Sequence, residues 1–139
     1  MKHVFLIALS TVFITFFACK EKDPVVTTQS MSGSIATLAW EDCTLYSSHD
    51  LTICFVGAVE NRCPCNTECL WEGTVEATFH VTNTTGIDTT ITLITNSNPA
   101  TLHNSTSIGG KTITFVNTDA IGCADYGKYE KYQVIVTVQ

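Results

Sequence analysis

The chain has 139 residues, 45% hydrophobic and only 14% charged, with a formal charge of −6. An acidic chain without Lys/Arg clusters argues against nucleic acid as a partner and against direct docking on anionic headgroups. Few charges and many threonines favour sheet over helix, and the length suits a single hydrophobic core.

Lys2 and His3 precede an apolar run from Val4 to Ala18. A charged stretch and then an apolar one is the layout of a secretory signal, and the run is shorter than the roughly 20 residues of a membrane span. Phe16-Phe17-Ala18-Cys19 resembles a bacterial lipobox, with a small residue before the cysteine that takes the lipid. The expectation is release of residues 1–18 and acylation, palmitate included, at Cys19. Lys20-Glu21-Lys22-Asp23-Pro24 follows at once. A charged tract just after the lipidated cysteine resembles the surface-export signals of some Gram-negative lipoproteins. Lys20, in place of Asp, fits the outer rather than the inner membrane by the same analogy. The expected location is the outer membrane, lipid-anchored and exposed at the cell surface. Residues 19–32 read as a tether, rich in Thr and Ser after the charged tract. Extended, it reaches about 45 Å. Residues 33–139 form the domain.

Within the domain, Thr44-Leu45-Tyr46 and Leu51 to Val59 read as strands around the polar turn Ser47-Ser48-His49-Asp50. Leu51, Ile53, Phe55 and Val59 are expected on one face. Pairing Tyr46 with Leu51 sets Cys43 directly across from Cys54, at a separation a disulfide spans.

Next comes Asn61-Arg62-Cys63-Pro64-Cys65-Asn66-Thr67-Glu68-Cys69-Leu70-Trp71-Glu72-Gly73. Pro64 and Asn66 break regular structure, so the stretch reads as a stapled turn feeding a strand from Trp71 to Thr82. Trp71, Gly73, Val75, Ala77, Phe79 and Val81 would face the core, and Glu72, Thr74, Glu76, Thr78 and His80 the solvent. Trp71 would then pack on the staple. Glu60-Asn61-Arg62-Cys63-Pro64 and Cys69-Leu70-Trp71-Glu72-Gly73 resemble the two halves of a motif, Asp-Ser-Arg-Cys-Pro then Cys, an aliphatic and Trp-Ala-Gly. It marks a family of small, functionally uncharacterised bacterial secreted domains and lipoproteins. The resemblance implies an extracytoplasmic β domain and carries no activity and no catalytic residues. Cys63 and Cys69 match that family's two cysteines and close a short loop; Cys63 with Cys65 would be badly strained. Cys65 is then left with Cys123. Six cysteines beyond Cys19 suit a disulfide framework in an exported domain.

Thr84-Thr85-Gly86 reads as a hairpin loop with Gly86 in the left-handed position. The register it sets puts Phe79 opposite Ile91 and Ala77 opposite Leu93. Asn96 to Ser107 reads as a loop or short edge strand, Gly109-Gly110 as a turn, Lys111 to Val116 as a strand, Asn117 to Gly127 as irregular. Lys131 to Val138 closes the chain, with Tyr132, Val134, Val136 and Val138 on one face. The fold class is all-β: one antiparallel, disulfide-stapled sandwich of about six to seven strands.

Motifs for nucleophilic, zinc-hydrolase or phosphate-loop chemistry are missing. His49, His80 and His103 are scattered, and a surface histidine without a partner in reach is no general base. Glu72 and Glu76 would share the polar face and form the candidate surface site. Asp88-Thr89-Thr90 resembles a bacterial O-glycosylation acceptor, although a β-strand threonine pair explains it more simply. The expected role is binding or envelope-structural, without catalysis or cofactor, with a protein or glycan as ligand and the membrane engaged through Cys19. The alternatives are a small exported hydrolase using scattered His and Glu residues, or a metal protein built on Cys63, Cys65 and Cys69 with a histidine.

Overall fold

The computed structural model describes residues 26–27, 34–95, 103–119 and 122–139. Residues 1–25, with the expected signal and Cys19, lie outside the described residues, as do 96–102 in the expected loop. The strands are β1 (Val26–Thr27), β2 (Ile35–Ala39), β3 (Cys43–Tyr46), β4 (Leu51–Glu60), β5 (Val75–Thr82), β6 (Asp88–Ile94), β7 (Ser105–Ile108), β8 (Lys111–Thr118) and β9 (Gln133–Val138). Two 3-10 turns, Cys123–Asp125 and Tyr129–Lys131, precede β9. One sheet has the order β1-β3-β4-β5-β6 and the other β2-β9-β8-β7. Apart from the parallel β1–β3 pairing, Val26 on Cys43 and Thr27 on Thr44, all ladders are antiparallel.

The fold is an all-β sandwich with more strands than the six or seven expected. The additions are β1, inside the segment read as tether, and β2. The β2 strand is only five residues long and buries just Ala36 and Leu38 fully, too little apolar alternation to stand out in the sequence.

The core forms where period-2 patterns from both sheets meet. Phe55, Phe79, Val81 and Leu93 come from one sheet, and Phe115, Val134, Val136 and Val138 from the other. Phe55, Phe79 and Phe115 make a row with centroids 5.9 and 5.8 Å apart, close enough for tilted and edge-to-face contact that adds to simple burial. Tyr46 crosses the core and donates its hydroxyl to the Val136 carbonyl at 3.2 Å. Burial pushes that phenol up to about 12, so it stays protonated and keeps the hydrogen bond.

Both hairpin registers follow the turn chemistry. Tyr46 pairs with Leu51 and Cys43 with Cys54; Asp50 takes the left-handed φ of 51° that this turn requires. Phe79 pairs with Ile91 and Ala77 with Leu93, and Gly86 has φ 105°. The aligned face of β6 is fully covered only near Leu93, because β6 is an edge strand.

Two bulges change the side-chain parity. On β4 the register shifts between Phe55 and Gly57. Val59, expected in the core with Leu51, Ile53 and Phe55, therefore turns out to solvent, while Ala58 packs inward. One inserted residue reverses every side chain beyond it. A second shift, between Phe115 and Asn117, extends β8 beyond its expected end and turns Thr118 inward, where it is buried.

The strand expected from Trp71 starts only at Val75. Gly73 has φ 78°, and a Cβ there would run into the Asn61 carbonyl oxygen. The backbone bends at this close approach, so Trp71 and Leu70 project to solvent and Trp71 does not sit in the core. Thr74, expected outside, is buried.

Candidate functional site

The β4 bulge delivers Glu60 to the inner side of the sandwich end, opposite buried Val75. Its side chain is only 3% exposed. A carboxylate so enclosed needs partners, since leaving it unpaired would cost several kcal/mol. Arg62 supplies a two-pronged contact, Nε to Oε1 at 2.8 Å and Nη2 to Oε2 at 2.6 Å. The Arg62 amide adds a bond to Oε1 at 2.9 Å, and the Tyr132 hydroxyl donates to Oε2 at 2.6 Å. This fork geometry is the strongest form of side-chain pairing.

The remaining groups are also satisfied. Arg62 Nη1 donates to Thr118 Oγ1 at 3.3 Å, a contact available because the β8 bulge turns Thr118 inward. The guanidinium carbon lies 5.9 Å from the Tyr132 ring centroid. The Gly127 amide donates to the Tyr132 hydroxyl at 3.1 Å, and the Tyr126 hydroxyl donates to the Arg62 carbonyl. Burial by itself would raise the Glu60 carboxyl, but the bonds from Arg62 and Tyr132 outweigh it and hold the group below its ordinary value. The bond to Glu60 raises Arg62 further. Burial, and then the bond to Glu60, push Tyr132 up to about 12. At neutral pH the cluster is therefore a hydrogen-bonded carboxylate–guanidinium–phenol unit.

Above this unit sits the loop from Asn61 to Gly73. Its base is laced by Asn61 N to Thr74 O at 2.9 Å and Cys63 N to Glu72 O at 3.0 Å. The disulfides are Cys43–Cys54, Cys63–Cys69 and Cys65–Cys123, with Cα separations of 4.0, 5.9 and 5.4 Å. These are the three pairs expected above. Cys65–Cys123 ties the loop to the 3-10 turn before Tyr126, whose hydroxyl reaches back to Arg62. With Cys63, Cys65 and Cys69 all in disulfides, the thiolates that a metal reading needs are gone. No group of three His, Cys, Asp or Glu among the described residues stands ready to hold an ion.

The surface candidates end up apart. Glu72 belongs to the loop and Glu76 to β5, separated by the bend at Gly73. Glu76 accepts from the Asn61 side-chain amide at 3.1 Å. His80 Nε2 meets Asp88 Oδ1 at 2.7 Å on the outer face of the β5–β6 hairpin, with side chains 40% and 77% exposed. His49 lies in the β3–β4 turn, its Nδ1 buried without a hydrogen-bond partner. His103 is exposed before β7, its carbonyl accepting from Ile94 N at 3.1 Å. No hydrogen bond among the described residues joins any two of His49, His80, Glu72 and Glu76.

Sequence reasoning missed the Glu60–Arg62–Tyr132 unit. A charged residue ending an apolar strand looks solvated unless the bulge is known. The signal available was Glu60 and Arg62 two residues apart, a spacing that puts both on one side of an extended chain. Comparison with known proteins returns no matching family model, no matching curated protein and no matching solved structure.

Proposed function

We propose that this chain is an outer-membrane, lipid-anchored β-sandwich module that acts by binding or as an envelope-structural part, without catalysis. The observation that carries this reading is the Glu60–Arg62–Tyr132 unit. Its carboxylate and guanidinium are the charged groups among the described residues whose protonation is shifted, and each is engaged by its neighbours in holding the sandwich end under its loop. Perturbed groups mark reactive sites when they stand open to a substrate, and structural networks when they satisfy one another. The stapled loop on a rigid scaffold supports the same reading, since such loops are the usual seat of recognition. The likeness of Glu60 to Pro64 and Cys69 to Gly73 to the motif of uncharacterised secreted domains and lipoproteins supports export.

The anchor is tested by intact-mass analysis of protein extracted from membranes. The expected species starts at Cys19 and carries the mass of its acyl chains. A soluble mature form with a free N-terminus elsewhere overturns the anchored reading. The non-catalytic reading is tested on the purified chain against esterase, glycosidase and peptidase substrates. The pair favouring a hydrolase is His80–Asp88, so turnover abolished by His80→Ala with the fold intact would replace binding by catalysis.

A further inference from the structure

Six large apolar side chains stand exposed among the described residues: Ile35, Val56, Val59, Leu70, Trp71 and Val116. Val56 and Val116 are bulge residues, and Val59 lies just beyond a bulge, so the parity change accounts for them. Ile35 is the first residue of β2. Leu70 and Trp71 lie away from both bulges, on the loop that the bend at Gly73 turns outward. They are adjacent, Leu70 is fully exposed and Trp71 is 66% exposed. Isolated exposed apolar residues need no account, whereas a contiguous pair containing tryptophan does.

Their setting is unusually constrained. Cys63–Cys69 closes the loop immediately before Leu70, and Cys65–Cys123 fixes it to the domain. The Cys63 N to Glu72 O bond and the close approach of Gly73 to Asn61 fix the other side. A tip held this way has lost its conformational freedom on folding, so little more is lost on binding. Tryptophan is also the side chain most enriched among residues that dominate binding energy.

Resting on the binding reading above, we propose that the Leu70–Trp71 tip is a docking knob for a partner protein with an apolar pocket rimmed by cationic side chains. Charge selects this occupant. Exposed Glu68 and Glu72 flank the two apolar residues. Arg62, the cation nearest in sequence, is held by Glu60 and offers no compensation. Pressed into a bilayer, the two carboxylates would meet phosphate headgroups and be repelled. Against a pocket with a Lys/Arg rim they become complementary, as in interfaces with an apolar centre and charged rim.

The test uses the full chain in its own host, with a benzoylphenylalanine photocrosslinker at Leu70 and, as control, at Thr78 on the outer face of β5. The adduct is identified by mass spectrometry, and the captured protein is purified and titrated against the unlabelled chain. The expected result is one discrete adduct from position 70 and none from 78. Trp71→Ala should then weaken binding roughly 30-fold or more. Glu68→Lys with Glu72→Lys should weaken it further, and added salt should weaken the wild type more than the charge-reversed chain. Thermal unfolding and a free-thiol count confirm that each variant keeps its fold and disulfides. Vesicles of phosphatidylcholine alone and of phosphatidylcholine with 30% phosphatidylglycerol should leave the tryptophan emission unshifted. The proposal is overturned by no adduct at position 70, by a captured protein indifferent to Trp71→Ala, or by a blue shift on vesicles. An adduct at 78 alone overturns the knob but leaves a binding module. Turnover lost in His80→Ala overturns the binding reading instead.

Discussion

Two acid–base contacts of nearly equal length sit in this domain, and they do different things. Glu60–Arg62 closes at 2.6 Å and His80–Asp88 at 2.7 Å. The first carboxylate is 3% exposed and bonded also by Tyr132; the second is 77% exposed and lies on an open strand face. Water screens the second pair and competes for both partners, so its formation gains little. For the first, the cost of desolvation is already sunk into the fold, and losing either partner strands the other. Distance therefore barely separates these contacts, whereas exposure separates them widely.

The comparison breaks most sharply if the clamp over Glu60 and Arg62 is opened. Cys65–Cys123 spans a sequence separation of 58. Replacing both cysteines by serine should cost about 4 kcal/mol on loop-closure entropy. The loss is read as a lower urea midpoint, and Glu60 should be among the groups whose environment loosens. A midpoint unchanged by the double replacement would mean that the packed sheets hold this end unaided.

Glu60→Gln should cost about 3 kcal/mol, the low end for breaking a buried pair because Arg62 keeps 28% exposure. The same pair sets an acid limb. The folded Glu60 carboxyl lies below its ordinary 4.5, so the unfolded chain takes up the proton first. Its stabilisation is complete above the unfolded value and is lost as pH falls through the folded one. Urea midpoints at pH 7 and pH 3 should differ less in Glu60→Gln than in the wild type. Equal differences would remove Glu60 from the acid response. On the alkaline side, Tyr132 and Tyr46 ionise near 10 when unfolded and about 12 when folded, so stability falls between those values.

The smallest effect is expected at the exposed pair. Asp88→Asn should leave the unfolding free energy from urea titration within about 0.5 kcal/mol of the wild type. A loss comparable with that of Glu60→Gln would erase the distinction drawn between the two pairs.

What the sequence by itself determined was the strands whose period runs unbroken and the turns with their own local chemistry. Val75 to Val81 and Val134 to Val138 alternate along single strands, and burial follows that alternation. The turns at Asp50 and Gly86 set their registers within a few residues, which also brought Cys43 opposite Cys54. The three disulfide partnerships were reachable from that register, from a family likeness and from the cysteine left over. Tertiary structure decided the rest, at two bulges and one close approach. The bulges near Val56 and Val116 leave no periodic trace, yet each reverses the strand beyond it and sends Glu60 and Thr118 toward Arg62. The approach of Gly73 to the Asn61 backbone turned Trp71 from an expected core residue into an exposed tip. Tyr132 meets Glu60 across 72 residues of chain. A pattern of period two reports which side of a strand is apolar only while the strand stays in register, and register is a property of the neighbouring strand.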